Sequence, residues 1–477
     1  MHFNKTFLFF LILFLFWDGA QAKEMKNPTA LTEGSIGEPR RLIPMLASDS
    51  ASQDITGLVF NGLVKYDKNI RLIGDLAESF EMTSDCRLAT FHLRKGVKWH
   101  DGREFTADDV LFTYQKIIDP QIVTPYSSSF ETVERVEKLD PHTIRVTYRE
   151  PFAPGLESWG MGIIPKHLLE GKDLNTDPFN RNPVGTGPFR FSEWITGQKV
   201  VVKANPDYFE GKPEIAEYIY RYIPDTATQF LELKALNLDM MALTPIQYRR
   251  QTDDDFFKAE FNKFKYPALS YTYIGYNLRD PKFSDKRIRQ ALTHAVDKNA
   301  IIQVVLFGLG KPATGPYIPE SWAFNPNVRD FDYNPEKAKS LLAEAGWRIG
   351  DDGLLKKDGR AFAFTLLTNQ GNLERAKTAE MIQWYLGKIG IQVEIRVLEF
   401  QTLLHQFIDK KQFEAVIMGW GVGLDPDLYT IWHSGKTREG EFNFISYRNP
   451  QVDAFLIKGR QTCHPEERKK STKRSIG

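Results

Sequence analysis

Cysteine is almost missing from this chain: Cys86 and Cys463 are the only two in 477 residues. That excludes a small fold held by a disulfide framework, and no Cys/His group has zinc-site spacing. Spacing alone does not fix whether the two pair. A surplus of one charge is missing too. The 62 Lys and Arg against 61 Asp and Glu leave a net charge of +1, which argues against nucleic acid or an anionic membrane as the main partner. Catalytic signatures are also absent: there is no G-x-S-x-G elbow, no H-E-x-x-H and no P-loop. Gly185-Thr-Gly-Pro-Phe189 contains G-x-G, but Pro188 and Phe189 stand where a dinucleotide loop needs other residues. Gly308-Leu-Gly-Lys-Pro312 lacks the Walker spacing. The nine His are scattered, and His294, on an expected helix, reads as a satisfied structural histidine. No catalytic residue, metal ligand or cofactor is expected. An enzyme of unknown class would need ionisable groups with shifted pKa values gathered in a cleft.

Only one long apolar run exists, and it is N-terminal. Lys5 supplies a positive charge, Phe7 to Trp17 is an eleven-residue apolar run, and Ala20-Gln21-Ala22 fits a small-x-small cleavage site. A membrane span needs about twenty apolar residues, so residues 1–22 read as a signal peptide cleaved after Ala22. No Cys follows the run, so a lipid-anchored form is not expected.

What remains is ordinary globular composition, 42% hydrophobic and 26% charged with 13% aromatics, long enough for about three domains. Strand and helix patterns mix throughout, which predicts an α/β chain. Ile391 to Val397 alternates apolar and polar as a half-buried strand does. Phe413 to Trp420 reads as a buried strand, and Val200 to Lys203 as another. Helices are expected from about Asp285 to Asn299, from about Leu373 to Lys388, and from Asn334 to Gly346. The last has a cap at Asn334, Pro335 at its first position and Gly346 as its stop.

The stretch 97–110, "VKWHDGREFTADDV", carries one His and four acids within ten residues. A metal site would need converging ligands, yet positions 100, 101 and 104 straddle a turn. Asp101-Gly102 signals that turn, and Thr106 sits where a helix N-cap belongs, with Asp109 three residues on, close to a capping box with Asp for the usual Glu. Asp108 and Asp109 favour the helix dipole. The stretch therefore reads as turn plus helix cap.

Six motifs then follow one another in register: "VKWHDGREFTADDV" (97–110), "NPVGTGPFRF" (182–191), "NPDYFEGKP" (205–213), "YNLRDPKFSDKRIRQALTHAVDKNAII" (276–302), "YNPEKAKSLLAEAGW" (333–347) and "GWGVGLDPDLYTIWHSG" (419–435). Together they resemble extracellular solute-binding proteins of family 5, the dipeptide- and oligopeptide-binding components of ABC importers, over roughly Leu31 to Arg460. The resemblance implies a two-lobed periplasmic-binding-protein fold with a hinged cleft, an extra domain on lobe 1, and mixed sheets flanked by helices. Residues 23–58 and 186–268 would form domain I, 59–185 domain II and 269–460 domain III. The implied function is periplasmic capture of a peptide, held by its backbone as an added strand, and its delivery to membrane permease subunits. Hydrated pockets would keep side-chain selectivity loose. A monomer without nucleic acid is implied. Alternatives on the same scaffold are a nickel complex, haem, glutathione or oligosaccharide as ligand, or a sensor or chaperone role.

Carried onto this sequence, the ligand edge is the strand ending at Val422. Gly419 and Gly421 would admit a ligand backbone closely. Trp420 would wall a pocket or fill an interdomain core, and Val422 closes the strand. Asn277 is a further candidate, with a loop hydrogen bond as its plainer role. Relatives often carry an Asp three residues after this Trp to pair the peptide's α-amine; here that position is Gly423. Asp425 comes two residues later, before Pro426, and reads first as a turn-shaping residue. Loss of amine capture points to longer peptides or ligands without a free amine.

Residues 461–477, "QTCHPEERKKSTKRSIG", also depart from the family pattern, which usually returns to domain I. Arg468 to Arg474 holds five basic residues and no apolar one, which reads as a solvated basic tail. The implied consequence is uncovered sheet edges in domain I, and a truncated, non-functional copy is the corresponding alternative.

Overall fold

A computed structural model describes residues 29–476; the expected signal peptide and its cleavage site lie outside them. Two large hydrophobic cores, with three smaller clusters beside them, organise the described residues. The first runs from Leu42 to Tyr220 and includes fully buried Trp99, Phe91 and Phe105. It joins two sheets. One has five strands in the order Met240–Met241, Ala30–Ser35, Glu217–Tyr222, Lys199–Ala204, Phe189–Ile195, with parallel pairing around Ala30–Ser35 and antiparallel pairing beyond. The other is antiparallel, in the order Ala77–Met82, Leu88–Leu93, Thr143–Tyr148, Val133–Asp140.

The second core runs from Phe283 to Ile417. Its sheet is mixed, in the order Ser270–Tyr276, Ala415–Gly421, Ala363–Asn369, Gln392–Leu398. Helices Lys286–His294, Pro335–Glu344 and Leu373–Gly387 flank it. Within the described residues the backbone passes from one body to the other once, through 261–269. The α/β class is thus as the residue patterns predict, and the mixed, helix-flanked sheets are as the family resemblance implies.

Local signals explain several elements. Thr106 caps helix Ala107–Ile117, with its side chain and that of Asp109 forming the reciprocal capping box. Asp109 also accepts from Lys166 N at 3.0 Å and Trp99 Nε1 at 3.3 Å. His100 is fully engaged by backbone: Nδ1 accepts from Gly185 N at 3.1 Å, so Nε2 carries the proton and donates to Gly187 O at 3.0 Å. Burial pushes this imidazole down to about 4. His294 is 2% exposed and bonds Asp332 O through Nδ1.

Two expectations need correction. The helix expected over 285–299 is broken into Lys286–His294 and Lys298–Val304, because the Asp297 side chain accepts from Ala300 N and starts a new helix. The segment expected as a solvated basic tail is instead a helix, Pro465–Ile476, and Cys463 just before it is disulfide-bonded to Cys86, with Cα atoms 6.1 Å apart. Arg468, Ser471 and Thr472 lie on one helical face and are buried. That buried face is polar, so hydrophobic periodicity could not announce it.

Candidate functional site

Strand Ala415–Gly421 pairs along its whole length with Ser270–Tyr276, from Tyr276↔Ala415 to Ser270↔Gly421. On its other side it pairs with Ala363–Asn369 only at Leu366↔Ala415 and Leu367↔Val416. Among the described residues no strand occupies that second edge beyond Val416. An unpaired strand edge presents N–H and C=O groups to any extended chain that can reach them.

The candidate residues fall on both ends of this ladder. Gly419, Trp420, Gly421 and Val422 stand together at the open end. A Cβ on Gly421 would meet nothing within 4 Å, so the space beside it is free. A Cβ on Gly419 would come 2.9 Å from Arg375 Nη2, so its small size makes room for that guanidinium. Trp420 is half-buried against Phe442 and Phe444, with ring centroids at 5.1 and 5.8 Å. Phe442 in turn meets Tyr126 of the first body edge-on at 5.6 Å, so Trp420 belongs to an aromatic chain that reaches across the bodies. Val422 is buried and donates to Leu269 O.

Asn277 lies at the opposite end, six ladder steps or roughly 20 Å away. It is 5% exposed. Its Nδ2 donates to Lys411 O and Phe413 O, and its Oδ1 accepts from Arg279 N. These bonds are a loop clamp. Asp425 is also engaged within the chain. Its Oδ1 accepts from Asp427 N at 2.9 Å, shaping the turn. Both oxygens take a bidentate pair from Arg468, at 2.5 and 2.7 Å. Asp427, Glu157 and Tyr66 lie near enough to act on this pair. Burial, then the Asp425 charge, raises the Glu157 pKa. Burial opposes the Arg468 charge, yet Asp425, Asp427 and Glu157 together lift its pKa above the ordinary value.

Arg375 is the residue that sequence reasoning missed. It stands at the third position of helix Leu373–Gly387, whose cap Asn372 accepts from Arg375 N at 2.8 Å. Its Nη1 donates to Asn369 Oδ1 at 2.7 Å. Gly371, at φ +85°, lets the intervening loop pass so close to Pro224 O that a Cβ would fall 2.1 Å from it. Burial lowers the Arg375 pKa, against the opposing influence of Tyr273 and Glu374. Among the described residues no carboxylate lies within ion-pair distance of Arg375. A half-buried, unpaired cation is costly, and a helix N-terminus adds like-signed potential. The sequence did hold a signal: Arg in the first turn opposes the helix dipole. It is a weak one, because Lys286–His294 also opens with Lys286 and Arg287. The difference is that Arg287 is paired with Asp285 at 2.7 Å.

The open strand edge, the aromatic wall and a guanidinium without a carboxylate partner form a site suited to an extended, anionic-ended ligand. No helix among the described residues is long and apolar enough to cross a membrane. The sequence pattern of bacterial extracellular solute-binding proteins, family 5 middle, matches residues 71–441. Oligopeptide-binding protein AppA of Bacillus subtilis is 37% identical over 441 residues, covering 89% of this chain and 79% of that protein. The structure of AppA from Bacillus subtilis with a nonapeptide is similar at a TM-score of 0.88 and 35% identity, covering 94% of this chain and 90% of that one. Heme-binding protein A of Haemophilus influenzae is 31% identical, covering 95% and 86%. NikZ of Campylobacter jejuni, in complex with Ni(L-His), is similar at a TM-score of 0.86 and 31% identity, covering 94% and 90%. This chain belongs to family 5 of the bacterial extracellular solute-binding proteins.

Proposed function

We propose that this protein captures peptides between its two bodies and passes them to the membrane permease subunits of an ABC importer, without chemistry on the ligand. The carrying observation is the free edge of Ala415–Gly421 beyond Val416, beside an Arg375 that lacks a carboxylate partner. A peptide laid along that edge gains main-chain hydrogen bonds, as in strand addition. Its C-terminal carboxylate would neutralise Arg375 through a charge-assisted, bidentate pair. Gly421 leaves the approach open, and Trp420 lines the wall. Asp425 is committed to Arg468, so the ligand's amine finds no carboxylate there; this favours longer peptides, whose affinity rests on backbone and carboxylate contacts. The resemblance to an oligopeptide-binding protein whose structure is in complex with a nonapeptide supports the same ligand class.

The accompanying organisation is domain I from 23–58 and 186–268, domain II from 59–185 and domain III from 269–460. The mature chain begins at Lys23, in the periplasm, as a monomer. Native mass spectrometry of the purified protein tests the reading: a mass starting at Lys23 with co-purified peptide masses is expected, and a ligand-free protein that ignores a peptide pool would contradict it.

A second reading has support from less similar relatives, each 31% identical, whose ligands are haem and Ni(L-His). The same measurement separates them: a bound haem or nickel mass in place of peptides would decide for that reading.

A further inference from the structure

We propose that the C-terminal pair of helices, Pro450–Gln461 and Pro465–Ile476, is a strap across the two bodies, and that its disulfide sets whether they part at this edge. The backbone crosses between the bodies once, through 261–269, in the described residues. The Cys86–Cys463 bond, spanning 377 residues of sequence, supplies a second covalent crossing. Cys86 lies in the turn between strands Ala77–Met82 and Leu88–Leu93 of the first body.

The strap is built into the second body. Arg460 pairs with Asp427 through Nε at 2.9 Å and Nη2 at 2.6 Å. Arg468 pairs bidentately with Asp425, and Asn325 Nδ2 donates to Lys473 O at 2.8 Å. Ser434 N donates to Asp453 at 2.9 Å, tying in the first helix. The strap grips the first body as well. The same Arg460, only 6% exposed, donates through Nη1 to Ser128 O at 2.9 Å. Gln461 Nε2 donates to Glu150 Oε2 at 2.7 Å. Beside the strap lies a seam with no covalent link of its own: Tyr126 against Phe442, and Glu131 paired with Lys436.

Separation at this edge therefore requires either that the disulfide break or that the helices leave the second body. The latter would strand buried Arg460 and Arg468, a cost of the kind that makes one-sided removal of a buried pair severe. Reduction is the easier route. Two thiols of a dithiol donor give up two electrons and two protons; Cys86 and Cys463 become thiols, and the donor becomes its own disulfide. Ligand exchange would then be slow in the oxidised protein and faster in the reduced one.

Hydrogen exchange followed by mass spectrometry, on the mature chain with and without dithiothreitol, tests the proposal without a known ligand. Thiol alkylation of the unreduced, unfolded protein should leave both cysteines unmodified. On reduction, peptides covering 123–131 and 436–444 should exchange roughly tenfold faster, while core strands Leu88–Leu93 and Ala363–Asn369 keep their rates. A Cys86→Ser/Cys463→Ser variant should match the reduced protein; if it fails to fold, reduction of the folded wild type carries the test alone. Free thiols in the unreduced protein would overturn the proposal. So would seam rates unchanged by reduction, acceleration confined to 450–476, or a uniform rise that includes the core strands.

Discussion

The two ends of one strand ladder behave in opposite ways. At the Tyr276–Ala415 end the Asn277 amide is fully used: it ties together Lys411 O, Phe413 O and Arg279 N. At the Ser270–Gly421 end the second strand edge is open, Gly421 faces empty space, and Arg375 holds a charge without a carboxylate. The same pair of strands thus carries a finished structural joint and an unfinished one about 20 Å apart. Incomplete hydrogen bonding is what a binding surface offers, because a ligand gains most where the protein has left groups unsatisfied.

Replacing Arg375 by Ala should have the largest effect. Loss of a desolvated charge partner costs about 2–4 kcal/mol in binding, or a roughly 30- to 1,000-fold weaker peptide Kd by calorimetry, with little change in unfolding temperature. Arg375→Lys should recover only part, since a point charge cannot supply the bidentate fork.

The sealed polar groups should instead show up in stability. His100 is held neutral in the folded state, at about 4 against an ordinary 6.5. A depressed histidine stabilises the fold fully above 6.5 and loses that contribution as pH falls toward 4. The loss is at most about 3 kcal/mol. Denaturant unfolding across this range should therefore show a steeper acid loss in wild type than in His100→Gln; equal slopes would count against the assignment.

Asn277→Ala should cost about 1–3 kcal/mol of folding stability by stranding two backbone carbonyls, while peptide Kd stays unchanged. A matching loss of affinity would erase the distinction between the two ends. The smallest effect is expected at the open end: Gly421→Val has room to fold normally, yet should weaken peptide binding by about 1 kcal/mol by crowding the ligand backbone.

Most of the architecture was legible because its causes are local. Thr106 and Asp109 announce their capping box, Asn334 and Pro335 their helix start, and the alternation at 391–397 its strand, found at Gln392–Leu398. The candidate site was only half legible. Gly419 to Val422 could be placed by their motif, and Asp425 by its turn. Arg375 could not, because its importance lies in a partner it lacks, which only three dimensions reveal. Arg460 and Arg468 escaped for the reverse reason: their partners Asp427 and Asp425 are 33 and 43 residues away. A basic helix with a polar buried face looks like a solvated one until those acids are seen.

Calorimetry on one peptide recovered from the protein, with a free and an amidated C-terminus, against wild type and Arg375→Ala, tests the central claim most directly. The account predicts that amidation weakens binding to wild type by roughly 30-fold or more and leaves the variant's affinity unchanged. An equal penalty in both proteins, or none in wild type, would contradict the assignment of Arg375 to the ligand's carboxylate.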